Sequence, residues 1–209
     1  MPKVSYIVSA YDRPILMRCC LASLAAQTDH DFEAIVADNS PDFKTQAVNR
    51  AVVDGMLDSR FSHIDTDSIK TCRGWDCYHS AEYVARNWAT GEWLCFPSDD
   101  SYYVPMFQEA MVNKAQINGW SMVYCDWLCD RRGSLNGEGP GRYGWVDASA
   151  RISRIDKTGF MVRSSSFGAF PGKNMEEVKP CAADGLFIEE LVRRGAKHGK
   201  VNEVLMVHN

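Results

Sequence analysis

No stretch of this chain approaches the roughly twenty consecutive apolar residues that a membrane-spanning helix requires, which argues against a bilayer-crossing segment. Positive charge is also in deficit. Lys and Arg number 23 against 27 Asp and Glu, for a formal charge of −4, so a broad basic surface for nucleic acid or anionic lipid is not expected, although a local basic patch stays open. There is no C-x-x-C pair, and Met1-Pro2-Lys3 leads straight into a strand-like segment without the charged and apolar regions of a signal peptide. The eight cysteines do not form an obvious framework: Cys19 and Cys20 are adjacent, and Cys95 sits in an apolar run. A zinc cluster from Cys72, Cys77, Cys125 and Cys129, with His79 nearby, would have irregular spacing, whereas free thiols in a reducing compartment need no special pattern. The expected location is therefore cytoplasmic.

What is present is an ordinary globular composition. The 209 residues are 45% hydrophobic and 24% charged, enough to bury a core without metal or disulfide, and they are read as one domain over residues 1–209. Val4 to Ala10 is β-branched and apolar, a buried strand. Pro14 suits the first turn of a helix reaching Gln27, and Phe32 to Ala37 is a second strand, ended by the turn residues Asp38 to Asp42. Helices are expected over residues 43–57, 76–89, 106–118 and 182–194. Further strands are expected at 61–64, 93–96, 122–127, 160–162 and 204–207, and Arg131 to Gly144, with five glycines and a proline, reads as a loop or hairpin. The alternation predicts an α/β fold of three layers, α/β/α, with a mostly parallel mixed sheet that binds ligands at its strands' carboxyl ends.

Several residues at those ends carry chemistry. Asp38 follows the second strand, where a carboxylate can accept hydrogen bonds from a base or ribose; it is equally a good turn residue. Ser98-Asp99-Asp100 follows a buried strand, and two adjacent carboxylates repel unless something neutralises them, which a divalent cation such as Mg2+ or Mn2+ does. The plainer reading is a solvated loop leading into the next helix. Asp184 opens a helix, as a cap or as a general base beside an acceptor hydroxyl. His208 is an exposed end residue or a metal ligand. Arg13, Lys70 and Arg73 are candidates for pyrophosphate contact, and Tyr102 and Tyr103 for sugar or nucleotide contact.

In their order and spacing these segments resemble the family 2 glycosyltransferases of the GT-A fold, a Rossmann-like member of the nucleotide-diphospho-sugar transferase superfamily. The segments that carry the likeness are Val4 to Tyr11, Leu21 to Thr28, Phe32 to Ser40, Ala89 to Asp100, Tyr103 to Pro105 and Asp184 to Phe187. The resemblance implies that Ala10, Tyr11 and Asp38 surround the nucleotide base, often uracil. It also implies that Asp99 lies near ribose and metal, that Asp100 ligates the metal, that Asp184 is the base, and that His208 stands where some relatives place another ligand. Residues 1–100 would form the nucleotide-binding half and 101–209 the acceptor and catalytic half. The implied activity is inverting transfer from a UDP-sugar or related donor, assisted by Mn2+ or Mg2+, to a glycan, lipid-linked or other hydroxyl. Pro97 and Ala37 stand where relatives often have aspartates. Pro97 gives some weight to the alternative, a non-catalytic sugar-nucleotide or glycan-binding protein, while Asp99, Asp100 and Asp184 count against it. A nucleotidyltransferase would need glycines after the first strand, where Tyr11-Asp12-Arg13-Pro14 stands.

Overall fold

The computed structural model describes residues 2–66, 76–130, 143–152, 154–170 and 183–208. Strands β1 (Val4–Ala10), β2 (Phe32–Asp38), β3 (Phe61–Asp65) and β4 (Trp93–Cys95) form a parallel block in the order β3-β2-β1-β4. All of β1 is buried, as expected of a parallel strand covered on both faces, which explains its continuous apolar run. On one face Tyr6 hydrogen-bonds Gln108 of α4 (Phe107–Asn118) at 3.1 Å. On the other, Ser9 meets Lys157 beneath Tyr78 of α3 (Asp76–Asn87). The remaining helices of this half are α1 (Pro14–Ala25), which opens on proline, and α2 (Phe43–Asp54). Asp42 caps α2 by accepting from the Thr45 amide at 3.0 Å, a contribution of about 1 kcal/mol.

Strands β5 (Ser101–Tyr103), β6 (Met122–Asp130), β7 (Tyr143–Val146), β8 (Phe160–Arg163) and β9 (His198–His208) complete the sheet. Its order is β3-β2-β1-β4-β8-β6-β9-β5, with β7 pairing on β6. β8 runs antiparallel to β4 and β6, while β6 and β9 are parallel, so the sheet is mixed and more residues pair in parallel than in antiparallel ladders. Helix α5 (Ala183–Arg193) seats Phe187 among Phe160, Phe167 and Phe170, with ring centroids 5.8, 5.7 and 4.6 Å away. Its third residue must be glycine, because a Cβ on Gly185 would collide with the backbone of Ile152. Among the described residues, no helix is long and apolar enough to cross a membrane, and the cysteines are free thiols.

Most elements end within three residues of their expected bounds, and three stretches depart further or in kind. β9 starts at His198 instead of Val204, because His198, Gly199 and Lys200 carry no apolar signal yet pair with Met122 to Tyr124. Ser101 to Tyr103 is a strand, where the sequence reads as a loop; three residues are too few to show a period, and pairing with β9 alone defines them. Of the stretch Arg131 to Gly144, residues 131–142 lie outside the described residues, and Tyr143 and Gly144 open β7, whose antiparallel ladder with β6 is a hairpin's.

Candidate active site

The site begins where β1 and β4 stop. Beyond β4, Ser98 makes a single parallel bridge to Ser9, and the Asp99 amide donates to the Ser9 carbonyl at 3.0 Å. A turn closed by the Ser101 amide on the Ser98 carbonyl at 3.0 Å then feeds β5, whose Ser101 is registered against His208. The acidic doublet is thereby split between two neighbours. Asp99 accepts from the Tyr11 amide at 3.1 Å, and Asp100 faces His208. Both carboxylates are buried, 1% and 5% exposed, and the Arg13 guanidinium, at the start of α1, pairs with both. A planar fork with several donors suits two carboxylates at once. Burial pushes the Asp99 carboxyl upward, and Arg13 and the Tyr11 amide offset this only in part. Burial acts on Asp100 too, but His208 and Arg13 outweigh it and hold this carboxyl below its usual range.

Asp38 is placed next to Tyr11 but is fully buried. Its oxygens accept from the Ser40 amide at 2.9 Å and the Asn49 amide group at 3.1 Å, and His63 Nε2 lies 2.9 Å away. Burial opposes its charge, yet the bonds from His63, Ser40 and Asn49 prevail and lower its pKa. Asn49 also donates to the Tyr11 carbonyl at 2.8 Å, so this network holds the Tyr11 turn in place. Ala10 is buried and pairs with Asp38, and Tyr11 itself is partly exposed. Tyr103, a candidate for sugar contact, is a core residue instead. Its ring packs 4.5 Å from Phe107 and its hydroxyl donates to the Thr158 carbonyl at 2.9 Å. Arg73 and Lys70 lie outside the described residues, as do Pro180 to Ala182.

Two functional-looking residues escaped the sequence reading. Asp156 accepts from Thr158 through one oxygen (amide 2.9 Å, hydroxyl 2.7 Å), and its other oxygen lies 2.9 Å from His208 Nδ1. Lys157, 5% exposed, donates to Ser9 Oγ at 2.9 Å, and its ammonium is 5.5 Å from the Tyr78 ring centroid. Their sequence reads only as a polar turn two residues before β8; β8 runs antiparallel to β4, and only that pairing brings its start to the edge where β4 ends. The burial of His208 opposes its charge, but Asp156 and Asp100 on either side push its pKa up to about 10.

Asp184 sits in the first turn of α5, 8% exposed. The Tyr78 hydroxyl and the Lys157 backbone bond its carboxyl, but Oδ1 is buried without a hydrogen-bond partner. Burial, reinforced by the negative charge of Asp156, pushes this carboxyl up to about 7, against the pull of Lys157 and Tyr78. A carboxyl in that range exchanges a proton readily near neutrality, the property a general base needs.

The acidic pair, neutralised here by Arg13, offers the kind of oxygen ligands that a divalent cation takes. Asp100 Oδ1 is buried, lacks a hydrogen-bond partner and faces His208 Nε2 at 3.5 Å. Among the described residues, no three His, Cys, Asp or Glu groups converge into a ready cage. A few protein ligands completed by phosphate and water is how Mg2+ is commonly held at phosphate-binding sites.

Comparison with known proteins bears on the fold and the family. The chain is 26% identical, over 75% of its length and 47% of the relative's, to the GalNAc(5)-diNAcBac-PP-undecaprenol β-1,3-glucosyltransferase of Campylobacter jejuni. It superposes with a TM-score of 0.70 and 18% identity on the mannosyltransferase PcManGT of Pyrobaculum calidifontis in complex with GDP-Man and Mn2+, covering 99% of this chain and 56% of that one. With TarS of S. aureus (residues 1–349) in complex with UDP, the TM-score is 0.67 and the identity 17%, over 98% of this chain and 60% of that one. The chain thus spans about half the length of these relatives, and the likeness identifies the fold as GT-A. The model of glycosyl transferase family 2 matches residues 5–171, and this chain belongs to that family.

Proposed function

We propose that this chain is an inverting glycosyltransferase that passes a sugar from a nucleotide diphosphate, a UDP-sugar, to an acceptor hydroxyl with the help of Mn2+ or Mg2+. The observation that carries the reading is Asp184. It is a buried carboxyl with an oxygen lacking a hydrogen-bond partner and a pKa pushed up to about 7, linked to Asp100 of the acidic doublet through Asp156 and His208. In the proposed step Asp184 takes the proton from the acceptor hydroxyl as its oxygen attacks the anomeric carbon. The bond from that carbon to the diphosphate oxygen breaks on the opposite side, and the electron pair leaves with the nucleoside diphosphate. Asp100, with Asp99 and His208, would hold the cation, which when bound neutralises charge on the departing diphosphate. Tyr11, beside Ala10 and the Asp38 network, would line the nucleotide end, and Arg13, half-exposed beside the doublet, would meet the phosphates, a role for which the sequence also offers Arg73.

TarS holding UDP supports a uridine donor, and the relative named for an undecaprenol-linked substrate supports a lipid-linked glycan as acceptor. The test is release of nucleoside diphosphate from a panel of UDP- and GDP-sugars with Mn2+, with and without candidate acceptors. Wild type should turn over at least one UDP-sugar, with product of inverted anomeric configuration, while folded Asp184→Ala and Asp100→Ala do not. Full transfer by both variants would overturn the assignment.

A further inference from the structure

We propose that Asp156 is the positioning residue that aims His208 Nε2 at the cation held by Asp100, an inference that rests on the metal-assisted reading above. An imidazole can turn either nitrogen toward a ligand, and which one is free depends on the bond the other makes. Here Nδ1 is engaged by Asp156 Oδ2 at 2.9 Å. Asp156 is itself held from the other side, where Oδ1 accepts from both the amide and the hydroxyl of Thr158. Its backbone is extended and it caps the 3-10 turn Lys157–Gly159, just before β8. With Nδ1 committed, Nε2 alone is left; it pairs with the buried Asp100 Oδ1 at 3.5 Å, and a cation held there would displace the Nε2 proton while the Nδ1 proton stays directed at Asp156.

A carboxylate behind the ring, a nitrogen in front and a second carboxylate 3.5 Å opposite form the arrangement that orients metal-bound histidines. Loss of the rear carboxylate in such arrangements typically costs 10–100-fold in metal affinity. Asp156 lies in a different segment from every other residue of the acidic site, on the turn that also carries Lys157. The 3-10 turn and the metal ligand His208 are therefore tied through one side chain.

The test is Mn2+ binding followed by electron paramagnetic resonance, with Mn2+ alone and with saturating UDP. Asp156→Asn keeps an oxygen for Thr158 but turns an amide NH2 toward Nδ1, which favours the tautomer with its proton on Nε2. It is expected to weaken Mn2+ binding by about 10–100-fold. Thr158→Val removes the hydroxyl from Oδ1 without touching His208 and should leave binding within about twofold. If Asp156→Asn does not fold, Asp156→Ser, which can still cap the turn, carries the same expectation. Asp156 variants that bind Mn2+ like wild type, while Asp100→Asn and His208→Ala lose it, would overturn the positioning role alone. If Asp100→Asn and His208→Ala also match wild type, the metal reading fails and the positioning role fails with it.

Discussion

Asp38 and Asp184 are both buried carboxylates near the carboxyl edge of the sheet, and the fold treats them in opposite ways. Asp38, between the parallel strands and α2, is saturated by Ser40, Asn49 and His63 and held below the usual carboxylate range. Asp184, at the start of α5 in the mixed half, has an oxygen without a hydrogen-bond partner, and burial with the charge of Asp156 pushes it up to about 7. The first arrangement makes a fixed negative charge that braces the Tyr11 turn. The second makes a group that can change its protonation state at little cost. Unsatisfied groups are expected where function, not folding, sets the residue.

The sharpest way to break this contrast is Asp184→Asn, which keeps the shape and removes the proton acceptor. Transfer should fall by about 10²–10⁴-fold, measured as nucleotide release with a working donor and acceptor. The same substitution should raise the melting temperature. The folded pKa of Asp184 lies above the usual 3.8, so its ionisation costs stability as pH rises from about 4 through 7. The gain for the asparagine should be on the order of 4 kcal/mol at pH 8 and should shrink steadily toward pH 4 in denaturant titrations.

Asp38→Asn is expected to do the reverse. It leaves a donor facing donors and should cost about 1–3 kcal/mol of stability. Because the folded pKa of Asp38 is lowered, that contribution is present above about pH 4 and fades as pH falls further, so the two chains should converge in acid. Arg13→Met removes the counter-charge of Asp99 and Asp100. Since Arg13 is half-exposed and screened, the loss should be smaller, about 1 kcal/mol, and should lessen when a divalent cation is added. The smallest effect expected is that of Tyr78→Phe. It removes a bond that favours the charged form of Asp184, so the acid limb of the rate profile should move to higher pH by less than about one unit.

Much of the first half could be read directly because its signals are local. β1, β2 and β4 are apolar runs, Pro14 starts α1 and Asp42 starts α2, and each residue type dictates its own backbone. Asp38, Asp99, Asp100 and Asp184 stood out by position in the same way. The partners that define their chemistry did not, because they are contributed by distant segments. His63 and Asn49 close on Asp38 from β3 and α2, and Asp156 and Lys157 arrive from a polar turn whose own pattern says only loop. β5 illustrates the same limit. Nothing in Ser101 to Tyr103 marks a strand until β9 lies beside it, yet that pairing brings Asp100 to His208.

The central claim, that Asp184 is held as a proton-exchanging carboxyl while its neighbours are locked, can be measured without knowing donor or acceptor. The 13Cγ resonance of Asp184, assigned by its absence in Asp184→Asn, can be followed from pH 4 to pH 9. A midpoint near 7 is the expected result, and a midpoint at or below 4 would contradict the account.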